Sequence, residues 1–146
     1  PLRLVGSEMC IRDRAMEVKL KEAKESGNEA EYQAARKLNA MMSAFSSIDD
    51  YYTSTSMIEN VERYEEIYEG EKDAAYKDRV AGWYVFLHQL SPSAKTATYV
   101  ADKLLALDKK ERAKEVLTLG LKDGSSAAGV EESDVKACQA KLDELK

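Results

Sequence analysis

The chain has 146 residues, 44% of them hydrophobic and 34% charged, with a formal net charge of −5. That mixture supports a globular domain with a true core and is too apolar for a disordered chain. An acidic chain without a basic block is poorly matched to phosphate backbones, so no nucleic-acid partner is expected. No apolar run reaches the length of a membrane span.

The first stretch, Val5-Gly6-Ser7-Glu8-Met9-Cys10-Ile11-Arg12-Asp13, does not share the patterning of the rest of the chain. It resembles the translated adaptor of a transposon-based sequencing library, and Arg14 continues the match. The resemblance implies that residues 1–14 are a non-native arm, that the native N-terminus is missing, and that the chain is a fragment. Cys10 then drops out of the chemistry and the domain proper runs over 15–146. Cys138 alone remains, which gives neither an internal disulfide nor a CxxC pair and leaves the compartment open.

From there the apolar residues step by three and four, as one face of a helix requires. Met16, Leu20 and Ala23 mark the first helix, and Gly27 is expected to close it in a left-handed conformation. Asn28, three residues before Glu31, reads as the N-cap of a second helix whose inner face is Tyr32, Ala35, Leu38, Met42 and Phe45. Tyr51 and Tyr52 fall in the loop "YYTST". Ser56 with Glu59 would then start a third helix with Met57, Val61, Tyr64 and Tyr68 inside, closed at Gly70. Tyr76, Val80, Trp83, Leu87 and Leu90 predict a fourth helix, hydrophobic on most sides and hence central.

Ser91-Pro92 would open the fifth helix, with Ala97, Val100, Ala101, Leu104 and Leu105 on its stripe. Asp108 with Glu111 would cap the sixth, which carries Ala113, Val116, Leu117, Gly120 and Leu121 and stops at Gly124. Val135, Cys138, Leu142 and Leu145 mark the last. The fold class is therefore all-α, with about seven helices.

Tight connections at Gly27-Asn28, Glu69-Gly70 and Asp108 predict antiparallel hairpins starting near residues 15, 56 and 92. Starts about 41 and 36 residues apart suggest hairpins stacked as a repeat, with 15–146 as one domain. A compact helical bundle is the alternative architecture.

The third hairpin, "AKTATYVADKLLALDKKERAKEVLTLGLKDGS", resembles a tetratricopeptide (TPR) repeat over residues 94–125. Ala97, Val100, Ala101 and Leu104 stand where that family has tryptophan, leucine, glycine and tyrosine in its first helix. Ala113, Leu117 and Gly120 stand at the alanine, aromatic and alanine of its second, and Ser125 at its closing proline. The small positions match and the aromatic ones do not. The resemblance implies a short solenoid whose first helices line a groove for a peptide or partner helix. Carried onto this sequence, the groove positions are Lys95, Thr98, Asp102 and Leu105.

Residues able to carry chemistry are sparse. His88 is the sole histidine, and Tyr84, Val85, Ser91 and Pro92 hold the helical positions where a second metal ligand would stand. It reads as structural or surface, and neither a metal nor a cofactor is expected. Cys138 sits on an apolar stripe and reads as a small hydrophobe. The acid pairs Asp49-Asp50, Glu65-Glu66 and Glu131-Glu132 lie by turns and helix starts, where carboxylates solvate or meet the helix dipole. Lys103, Lys109, Lys110, Arg112 and Lys114 are interspersed with acids and read as a charge-paired face. No phosphate loop or nucleophile elbow occurs.

The expectation is thus a non-enzymatic interaction module with a protein or peptide partner. Tyr51 and Tyr52, as loop aromatics, join the four groove positions as candidate contacts. The alternative is a self-associating bundle, a homodimer serving as the accessory or regulatory region of a larger protein. Met41, Met42, Phe45 and Tyr51 would be its seam.

Overall fold

A computed structural model describes residues 16–45 and 54–146, and every regular element among them is a helix. In chain order these are α1 over residues 16–25, α2 (Glu29–Phe45), α3 (Ser54–Ile67), α4 (Ala74–Leu90), α5 (Ala94–Ala106), α6 (Lys110–Gly124) and α7 (Glu132–Glu144). They divide between two compact units, Pro1–Glu71 and Lys72–Lys146. Residues 1–14, Tyr51 and Tyr52, and the side chains of Met42 and Phe45 lie outside the described residues.

In the first unit, α1 ends at Gly27, whose φ of 72° is the left-handed conformation glycine adopts freely. Asn28 caps α2 as expected, its Oδ1 accepting from the Glu31 amide at 3.1 Å. Its Nδ2 donates to the Tyr68 hydroxyl at 3.3 Å, and that hydroxyl donates to the Glu71 carbonyl at 3.0 Å. One side chain therefore joins the start of α2 to the segment after α3. The core holds Met16, Ala23, Ala34, Ala35, Leu38, Ile58, Val61, Tyr64 and Tyr68. Tyr64 and Tyr68 stack with ring centroids 6.2 Å apart.

Three expectations for this region change. The inner face of α2 runs through Ala34, Ala35 and Leu38, and Tyr32 is only half-buried. Ser56 lies inside α3, which starts two residues earlier. Gly70 does not hold a positive φ. It is small because a Cβ there would lie 2.7 Å from both the Ala30 Cβ and the Tyr68 hydroxyl.

In the second unit, α5 packs chiefly on α6; α4 touches both, and so does α7. Contact between α4 and α7 is marginal at most. Small side chains set the closeness of this packing. A Cβ on Gly120 would sit 2.5 Å from that of Ala97, and one on Gly124 would sit 2.6 Å from the nitrogen and Cα of Ser93. Gly124 is thus a crossing point and not the left-handed stop its position in the sequence suggests. Ala97, Val100, Ala101, Leu104, Ala113, Val116 and Leu117 are buried there. Each fully buried Leu or Val side chain contributes about 1.5–3 kcal/mol.

The ends of these helices also differ from expectation. The N-cap of α5 is Ser93, whose hydroxyl accepts from the Thr96 amide at 3.4 Å, so Pro92 stands just before the cap. Asp108 caps nothing. It holds φ 61° and closes α5, with its amide bonded to the Leu105 carbonyl at 3.0 Å and that of Lys109 to the Leu104 carbonyl at 2.9 Å. These bonds occupy two of the carbonyls in the last turn of the helix. Asp73 caps α4 through the Tyr76 amide at 2.8 Å. Leu90, placed on the inner stripe of α4, is 37% exposed.

Candidate functional site

The four positions taken from the TPR resemblance fall on α5 and differ in exposure. Lys95 is exposed and Leu105 half-buried. Thr98 and Asp102 face α7. Asp102 receives the Lys141 ammonium in an ion pair. Thr98 lies beside the Cys138 thiol, and its hydroxyl donates to the Ala94 carbonyl at 3.2 Å. Asp102 nevertheless stays exposed, and Thr98 is half-buried. The open part of α5 carries Lys95 and Tyr99; Tyr99 is 44% exposed, with the Lys103 ammonium 5.5 Å from its ring centroid.

Cys138 is fully buried, its thiol 3.6 Å from the Leu117 carbonyl. Burial raises its pKa, with Thr98 pulling the other way, and a protonated buried thiol is a poor nucleophile. His88 is equally buried, its Nε2 3.3 Å from both the amide nitrogen and the carbonyl oxygen of Ser93. Burial lowers its pKa, and the Ser93 backbone contact opposes this. Its ring lies where α4 turns into α5, a structural position. Among the described residues no three metal-ligating side chains converge, and no helix is long and apolar enough to cross a membrane.

In the basic stretch about the α5–α6 turn, Lys109 and Lys114 are ion-paired. Lys109 binds Asp78, whose carboxyl it holds below the usual range. Lys77 meets Asp108 at 3.3 Å and Lys114 meets Glu111 at 3.2 Å.

A concavity that periodicity did not reveal lies between α1 and α2. It is an open depression of about 430 Å³. Leu20, Tyr32 and Ala40 supply its apolar part, Lys21, Lys24 and Arg36 its charge, and Asn39 an amide. The Arg36 guanidinium lies over the Tyr32 ring, 5.7 Å from its centroid. The i, i+4 spacing of Tyr32, Arg36 and Ala40 could have marked this face, but only the antiparallel return through Gly27 brings α1's lysines beside it.

Comparison of the chain with family models, curated proteins and solved structures gave no match.

Proposed function

We propose that the chain is a non-enzymatic helical-repeat module that binds a peptide or partner helix, with α4 to α7 stacked as a short TPR-like solenoid. The observation that carries this reading is the packing order of the second unit. α4 meets α5 and α6, α5 meets α6 and α7, and α6 meets α7, while α4 and α7 scarcely touch. Repeats that contact only their neighbours pack in this way, whereas a closed bundle also joins its first helix to its last. Ala97, Ala101, Ala113 and Gly120 support it by permitting the close crossing that the family's small residues serve.

The docking face is the open side of α5, with Lys95 and Tyr99 at its centre and Leu105 at its edge. Tyrosine beside a lysine offers broad contact area with little entropy to lose. Panning a random peptide display library against the full chain tests the reading. A recurrent motif should emerge whose affinity falls at least tenfold against Tyr99→Ala or Lys95→Glu. If no motif is enriched, the module reading fails; if both variants bind it unchanged, α5 is not the face.

A second reading, a self-associating bundle, draws on Phe86 and Leu90. They lie one turn apart on α4, 42% and 37% exposed. Sedimentation equilibrium showing a dimer that Phe86→Glu dissolves would favour it.

A further inference from the structure

We propose that the concavity between α1 and α2 is a second binding site, for an acidic polypeptide segment anchored by one apolar side chain. The inference shares with the module reading only the claim that the protein binds polypeptide, and it uses a different face. Charge is the first argument. Three cations line the concavity and no carboxylate does, in a chain whose net charge is −5. Lys21 has only a weak, exposed pairing with Glu25, at 3.9 Å. Neither Lys24 nor Arg36 has a carboxylate within ion-pair reach among the described residues. The cations around the α5–α6 turn differ in this respect, since Asp78, Asp108 and Glu111 hold three of them.

Shape and chemistry narrow the occupant. Leu20, the Tyr32 ring and Ala40 favour an apolar side chain, and stacking on Tyr32 holds the Arg36 guanidinium ready to fork onto a carboxylate. A volume near 430 Å³ would take a small ligand, but the concavity is open along one side. Small-molecule sites usually bury most of their ligand. A chain segment spreads its contacts beyond the concavity and needs no such enclosure. The lining spans Tyr32 to Ala40 on α2, about 12 Å of helix, enough for an anchor and its flanking acids. A nucleic-acid strand is disfavoured, because three cations are few against the repulsion of an acidic chain.

The test is fluorescence anisotropy of the full chain with a labelled peptide of glutamates around a central tryptophan. Binding should be strongest at low salt and fall about tenfold or more with Arg36→Glu. Lys24→Glu is the second variant; both side chains are exposed, and circular dichroism checks that each variant keeps its helices. Tyr99→Ala should leave this affinity unchanged, which separates the site from the α5 face. Equal binding of the peptide with glutamines in place of glutamates would overturn the proposal. So would unchanged binding by both charge variants, loss of binding with Tyr99→Ala, or equal competition by a single-stranded oligonucleotide.

Discussion

Gly124 meets the backbone of Ser93 so closely that a Cβ on the glycine would stand 2.6 Å from the serine nitrogen. Three helices meet at this serine. Its hydroxyl caps α5, its backbone faces the His88 ring of α4, and Gly120 and Gly124 of α6 press on it. Gly124→Ala and Gly120→Ala should each destabilise by about 1–3 kcal/mol, because backbone must move to admit the methyl. Gly82→Ala should do the opposite. Its Cβ would meet only the Arg112 guanidinium at 3.4 Å, and alanine is favoured over glycine within a helix by about 1 kcal/mol. Urea denaturation of the three variants reads both signs.

Asn28 serves two elements at once, as cap of α2 and donor to Tyr68. Asn28→Ala should cost about 1–3 kcal/mol, combining a lost cap with a lost side-chain hydrogen bond. Asn28→Asp keeps the acceptor for Glu31 and should cost less. Thermal melts followed by far-ultraviolet circular dichroism would rank the two.

Asp108 occupies a left-handed conformation that costs most side chains about 1–2 kcal/mol. Asp108→Gly should therefore raise stability by up to about 1 kcal/mol, since the exposed pair with Lys77 is worth little. Asp108→Val should lower it, as a branched side chain strains that geometry. Equilibrium unfolding of the pair decides.

His88 makes stability depend on pH. Burial holds the imidazole below its ordinary pKa of 6.5, so the folded protein refuses a proton that the unfolded chain accepts. Stability from this source is complete above about pH 6.5 and is lost as pH falls from there toward the lower folded value. His88→Gln should flatten that part of the curve. An unchanged slope in the variant would show that other groups set it.

The helices were legible because burial on one side repeats at helical spacing, and Val80, Leu104, Leu117 and Cys138 fall on the stripes they marked. End signals were less legible. Asp108 has the chemistry of a cap, yet the same short polar side chain tolerates the left-handed turn that closes the preceding helix. Gly124 does end α6, but without a left-handed φ, and its close approach to Ser93 is visible only once the start of α5 lies across it. The site was hardest to read. Thr98 and Asp102 matched groove positions by spacing, but nothing local announces that α7 will lie beside them, with Lys141 paired to a still exposed Asp102. The cations of the first unit come from two helices and are neighbours only after the chain folds back.

Amide chemical shifts of the full chain, recorded as a panned peptide is added, are the sharpest probe of the proposed docking face. Saturable shifts should cluster on the open side of α5, at Lys95 and Tyr99, with Tyr51 and Tyr52 the other aromatics to watch. Shifts absent from α5, or no enriched peptide that moves any resonance, would refute the interaction module.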